Sequence, residues 1–537
     1  MPRREKIIVG VLALVFLFSI GELLISKIKF PVHSEKGVFA EGIIGHIQDL
    51  NPLFADYNDT DRDLTGLIFS GLMRYDPIVK NFFPNLATSF EKTSNGLIYT
   101  LNLRTDAVWH DGEPVTAEDI LFTFKDVIQD PGFRNPLLKT TFEGVTVNKT
   151  SQNTVTFTLT KPNSYFISYL TLGILPKHVL KDVPIASLDK TNFGQRPIGS
   201  GPYKVTGLNL NEEGDYIDLL AFPQYYGMST KPTIERMRFF TFPDEQSLME
   251  HKSALHSAGK LGITSPAFQE FSKDDRFAIY HYTLNQFTAV YLNSSNLFLK
   301  DKKVRQALAL GLNKEALVMV GEKRIDGLDL ADHGKEAGFA GNQGAAAKAL
   351  DDLGLKIGPE GFRINNKGEK VSLNLLATPK IPKTVVENLR NQWQTLGVQI
   401  NIISSNSETF VDLVSERRYD VLLIKQSLGY NRDVYPLFHS SQIATEGQGS
   451  GLNFSNFKSF RTDGLTEAIR KEKDSKDKEK LLIELSKVIE DEVPVIFVST
   501  PVYAYVIDKR VQPFTVNSLD FHSDRLSVLT HLSFPNL

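Results

Sequence analysis

Between Val371 and Ile424 the chain alternates strand, helix, strand, helix and strand, and this order constrains the fold more than any other feature. Val371–Leu376 is an apolar-rich run of strand length. Pro382 opens a helix with Val385, Val386, Leu389, Trp393 and Leu396 on one face, and Gly397 ends it. Proline first and glycine last is the asymmetry that helix ends favour. Val398, Ile400 and Ile402 then alternate with Gln399 and Asn401, the period of a half-buried strand. Phe410, Leu413 and Val414 mark a second short helix, and Val421–Ile424 a buried strand. Strands joined this way lie parallel through right-handed crossovers. Open sheets of this kind bind ligands beyond the carboxyl ends of their strands. The segment leaving the last strand, Gln426–Asp433, is therefore a candidate site, and it contains Tyr430, Asn431 and Arg432.

Other elements can be placed by the same periodicities. Thr116 with Asp119 forms a capping box ahead of a stripe of Ile120, Leu121, Phe124, Val127 and Ile128. Val304, Ala307, Leu308, Gly311 and Leu312 make a second stripe. Leu481, Leu482, Leu485, Val488 and Ile489 make a third, followed by an apolar strand at Val495–Val498.

The chemistry of a cysteine or zinc enzyme finds no footing here. The 537 residues include no cysteine, which removes disulfides, thiolate metal sites, cysteine nucleophiles and lipoprotein acylation together. The histidines form no His-x-x-x-His pair on a helix, and no Gly-x-Ser-x-Gly elbow occurs. His110, Asp111, Glu113, Glu118 and Asp119 cluster, but turn formation and helix capping account for them. Gly199-Ser200-Gly201-Pro202 lacks the Lys-Ser/Thr ending of a phosphate loop and suits a tight turn. A net charge of −3 gives no reason to expect a nucleic-acid partner. No cofactor, metal site or catalytic group is expected.

The first 36 residues stand apart. Arg3, Arg4 and Lys6 precede an apolar run from Ile7 to Ile25. As a helix these residues span roughly 28 Å, close to a bilayer core. No small-x-small cleavage site follows. An uncleaved single-pass anchor is the expectation, with Lys27–Lys36 as a tether to a large domain outside the cell.

Five segments, in order, resemble the peptide/nickel-binding family of extracellular solute-binding proteins. They are Leu50–Phe54, Ser70–Leu72 with Tyr75-Asp76, Leu97–Leu103 followed by Val108–Ile120, Arg196–Tyr203, and Asp301–Asn313. The resemblance runs from about residue 40 to the C-terminus. It implies an α/β, two-lobed clamshell with an extra third domain, and no enzyme. Lobe I takes 37–70, 198–283 and 493–537, a small accessory domain 71–197, and lobe II 284–492. It implies a monomeric receptor that closes over a peptide or similar extended polar solute and delivers it to an ABC permease driven by an ATPase subunit. A surface sensing protein that keeps the clamshell without transport is the alternative.

The resemblance also points to ligand contacts. Phe287, Ala289 and Tyr291 share one face of a strand crossing the cleft, which makes Tyr291 a wall residue. Peptide-binding members often carry an aspartate for the ligand's α-ammonium where this chain has Gly429. Either Asp433 takes over that role or the ligand has no free ammonium there, and Arg432 suits a carboxylate. Gln426, Tyr430 and Asn431 complete the expected set.

Overall fold

The computed structural model describes residues 37–55, 58–210, 215–227, 234–327, 341–430, 432–444, 451–472, 474–511 and 519–529. The expected anchor at 1–36 and the expected contact Asn431 lie outside the described residues. Among the described residues no helix is long and apolar enough to cross a membrane.

The strand–helix alternation forms as the periodicities predict. Ser372–Ala377 pairs in parallel with both Gln399–Ile403 and Val421–Ser427. The helix Lys383–Thr395 buries Val385, Val386, Leu389 and Trp393 against them. The second helix, Ser407–Ser415, begins earlier than its apolar residues suggest, because Asn406 and Thr409 form a capping box. Val421–Ser427 outruns the expected Val421–Ile424 because it is paired along its length with antiparallel Gln286–Leu292. The sheet is therefore mixed. Near Thr116 the capping box is present, but Phe122–Val127 is a π-helix. There Thr123 Oγ1 donates to Asp119 O, the acceptor that an α-helical ladder would use.

One strand ties the molecule together. Val495–Asp508 pairs through Val495–Ser499 with Gln286–Leu292, and through Val502–Asp508 with Phe277–Thr283. It continues past Pro501, where pairing has passed to the short strand Glu322–Arg324. Beyond it lie Ser257–Gly262, Phe39–Ile44, Arg236–Phe242, Tyr216–Ala221 and Tyr203–Asn209, completing a 12-stranded sheet. Only two crossings join the halves of this sheet among the described residues: Leu284-Asn285 between two strands, and Thr500-Pro501 within one.

A separate four-stranded antiparallel sheet is built from Ala87–Lys92, Ile98–Leu103, Thr154–Thr158 and Thr146–Ser151. Its core, with Tyr99, Phe157 and Phe166, is continuous with that around Phe39, Ile217 and Tyr505. The half-sheet around Val421–Ser427 has its own cores, one around Trp393 and Leu423, the other around Phe287 and Leu485. Gly199-Ser200-Gly201 is not the hydrogen-bonded tight turn expected of it but an irregular stretch packed against the backbone of Ile68. Gly201 N donates to Ile68 O at 2.8 Å, and a Cβ on Gly199 would fall 1.9 Å from that oxygen.

Candidate functional site between the sheet halves

The chain leaving Val421–Ser427 turns at Gly429 and meets residues from the other half of the sheet. Gly429 has φ +61°, a region that side chains with a Cβ avoid. A Cβ there would lie 2.7 Å from Cζ of Phe521. Thus the C-terminal segment's Phe521 fills the space that an aspartate at 429 would need. Asn285, at the crossing, donates through Nδ2 to Gly429 O at 3.2 Å and also to Asp520 Oδ1.

Tyr430 crosses the seam. Its ring centroid lies 4.4 Å from Tyr75, 4.8 Å from Phe521 and 6.1 Å from Phe82, and its hydroxyl donates to Asp524 Oδ1 at 2.8 Å. Asp524 also accepts from the amides of Asp520 and Phe521 at 3.0 and 2.8 Å. Burial pushes its carboxyl up to about 7, although these hydrogen bonds oppose the shift and only Asp520 reinforces it. Burial likewise raises the Tyr75 phenol, with a bond to Asp520 adding to the effect and Arg432 opposing it. The Arg62 guanidinium stacks 4.2 Å from the Phe521 centroid.

The C-terminal segment is held by a buried ion network. Arg525, fully buried, reaches Glu41 Oε1 at 2.6 Å and Asp63 Oδ2 at 2.8 Å, and Lys260 Nζ is 2.9 Å from Asp63. Despite burial, Arg525 and Lys260 hold the Asp63 carboxyl below its usual range. At the floor, Glu322 Oε1 lies 2.8 Å from Lys425 Nζ, and its other oxygen accepts from Thr288 and Ser499.

The expected contact residues separate into two groups. Tyr430 and Arg432 stand at the seam. Arg432 is half-exposed, and its charge acts on the phenols of both Tyr75 and Tyr165. Gln426 is half-buried and accepts from the Tyr291 hydroxyl. Tyr291 itself is not a cleft wall. It is fully buried, with its ring 5.5 Å from Phe454, because its strand face is covered by helices. Asp433 is turned inward as well. Arg470 Nη2 binds its Oδ2 at 2.6 Å, Tyr435 N donates to its Oδ1 at 3.1 Å, and little of the carboxylate is exposed. These backbone and ion-pair contacts fix the loop.

Tyr75, Asp520, Phe521 and Asp524 also stand at the seam, outside the residues expected from the sequence. None sits in a periodic stretch, and Asn285 and Asp520 are 235 residues apart. His110, Asp111, Glu118 and Asp119 all have structural partners: Gly201 O, His178, Lys177 and Thr116 respectively. A separate depression of about 570 Å³ lies at the opposite end of Val421–Ser427, beside Asn293, Asn296 and Asp420. Its amides are spent internally, Asn293 on Tyr419 O and Asn296 on Asp420, so the seam is the better site.

Residues 81–445 match the bacterial extracellular solute-binding proteins, family 5 (middle), which is more than half the chain. The chain belongs to that family. The oligopeptide-binding protein AppA of Bacillus subtilis (strain 168) is 26% identical over 493 residues, covering 87% of this chain and 86% of the relative. The dipeptide-binding protein of Escherichia coli (strain K12) is 24% identical over 490 residues, covering 85% and 88%. Two solved structures share the fold. AppA from Bacillus subtilis in complex with a nonapeptide has a TM-score of 0.73 at 23% identity, covering 93% of this chain and 99% of that one. NikZ from Campylobacter jejuni in complex with Ni(L-His) has a TM-score of 0.72 at 23% identity, covering 93% and 100%. The fold is the mixed α/β fold of periplasmic binding proteins, and this family member is a solute-binding receptor.

Proposed function

We propose that this receptor captures an extended, peptide-like solute between its lobes and delivers it to the permease of an ABC importer, whose ATPase supplies the energy. The observation that carries this reading is the seam itself. A turn beyond the carboxyl end of a parallel strand, where such folds bind ligands, sends Tyr430 against Tyr75 of the small domain and against Phe521 and Asp524 of the opposing half. The relatives named for oligopeptide and dipeptide binding supply the ligand class.

In this reading lobe I takes 37–70, 198–283 and 493–537, a small domain 71–197, and lobe II 284–492, hinged at Leu284-Asn285 and Thr500-Pro501. Tyr430, Arg432, Gln426 and Asn431 contact the solute, joined by Tyr75, Phe521 and Asp520, while Asp433 and Tyr291 hold the contact residues in place. Capture makes and breaks no bond. The protein acts as a monomer on the outer face of the membrane, tethered by the apolar run Ile7–Ile25.

Full-length protein purified without denaturation, then unfolded, releases whatever it carries. Peptides in that fraction by mass spectrometry are the expected result. A non-peptide solute at equimolar ratio overturns the ligand class, and an intact mass lacking the first residues overturns the tether.

A further inference from the structure

The small domain sends a tyrosine across the seam in the opposite direction. The loop Asn163–Tyr165 follows the small sheet and is firmly mounted on it. Tyr99 donates to Asn163 O at 2.7 Å, Asn163 Oδ1 accepts from Tyr165 N at 3.0 Å, and Phe166 is buried beside Tyr99 and Phe157. Tyr165 points the other way and packs onto the core around Phe287 and Leu485, in the half of the molecule beyond the two crossings.

Several contacts hold it there. Ser164 N donates to Arg470 O at 2.8 Å, and Lys478 Nζ donates to Ser164 Oγ at 2.8 Å. The same ammonium sits 4.6 Å from the Tyr165 ring centroid. These partners are separated by some 300 residues, so nothing local in the chain holds them together. Arg470 reaches further. It pairs with Asp433 and stacks 3.7 Å from the Tyr435 centroid, which joins the Tyr165 contact to the Leu428–Tyr435 loop that carries Tyr430 and Arg432. Among the described residues the Tyr165 hydroxyl is buried without a hydrogen-bond partner, so the ring makes the contact.

We propose that Tyr165 is a positioning residue for capture: a latch on the small domain that seats in lobe II only when the lobes close, and so sets how much of the ligand-free receptor is closed. The proposal rests on the lobe-closure reading above, but its test needs no ligand. Apparent affinity scales with the population of the binding-competent state, so a residue that touches no solute still governs capture.

The chain's lack of cysteine allows clean labelling. Glu91→Cys and Lys487→Cys, both exposed, take spin labels on the small domain and on lobe II of the full-length protein. In the ligand-free labelled protein, Tyr165→Phe keeps the distance distribution of the parent, because the hydroxyl bonds none of the described residues. Tyr165→Ala shifts it to longer distances, with the closed-to-open ratio falling about tenfold. A folded Tyr165→Ala protein with the parent distribution overturns the latch, and so does a Tyr165→Phe protein that opens. Should Tyr165→Ala fail to fold, hydrogen exchange in the unsubstituted chain decides: the Ser164 amide is protected if the latch is seated, and exchange at the rate of a free loop amide refutes it. None of these outcomes bears on whether a peptide binds.

Discussion

Gly429→Ala separates two costs that the structure assigns to different equilibria. A methyl group at φ +61° strains the backbone in any folded form, at about 1 kcal/mol. The overlap is a different matter. The new Cβ would sit 2.7 Å from Phe521 Cζ, and Phe521 belongs to the opposing half, so this clash exists only with the lobes together. Phe521 is half-buried, with Tyr430 on one side and Arg62 on the other, and cannot retreat freely. Overpacking of that kind costs about 1–3 kcal/mol, which lowers the closed-to-open ratio by about fivefold to 150-fold.

Denaturant unfolding reads the first cost and label distances read the second. In a Phe521→Ala background the clash disappears, so Gly429→Ala should then cost only the backbone term. Should Gly429→Ala open the lobes equally with and without the Phe521 ring, the clash is not its cause and the geometry of the seam is misassigned. Unchanged closure in both backgrounds would refute the reasoning altogether.

Two further predictions concern the carboxylates. Asp433→Ala strands the largely buried Arg470 guanidinium and should cost about 2–4 kcal/mol of stability by denaturant titration, while free and N-acetylated peptides keep their relative affinities. Asp524 titrates near 7 when folded, above its unfolded value of 3.8, so the unfolded chain releases this proton first as pH rises. Its contribution to stability is therefore fully present below about pH 4 and declines towards pH 7, by about 4 kcal/mol at most. Asp524→Asn, which mimics the protonated form, should flatten the stability profile between those limits; an unchanged slope would deny the raised pKa.

What could be seen in the sequence were elements whose burial follows a simple period. The helix bearing Val385, Leu389 and Trp393 and the strands flanking it needed only the 3.6 and 2 repeats. The same logic assigned Phe287, Ala289 and Tyr291 to one face, but it could not say that helices cover that face and put Tyr291 out of reach. Proximity to a strand end made Gln426–Asp433 a candidate, and Tyr430 does cross the seam. Asp433 differs because its partner, Arg470, lies 37 residues on, in a helix whose charged face looks solvated from the sequence. Asp520, Phe521 and Asp524 left no local signal, since their place depends on Arg525 finding Glu41 from 484 residues away.

Capture of a peptide at the Tyr430 seam should close the lobes. Full-length protein labelled at Glu91→Cys and Lys487→Cys, titrated with a mixture of dipeptides through nonapeptides, tests binding and closure together. The expected result is a saturable rise in the short-distance population, lost when Tyr430 and Arg432 are both replaced by alanine. Peptide binding that leaves the distances unchanged, or that survives loss of both side chains undiminished, would contradict it.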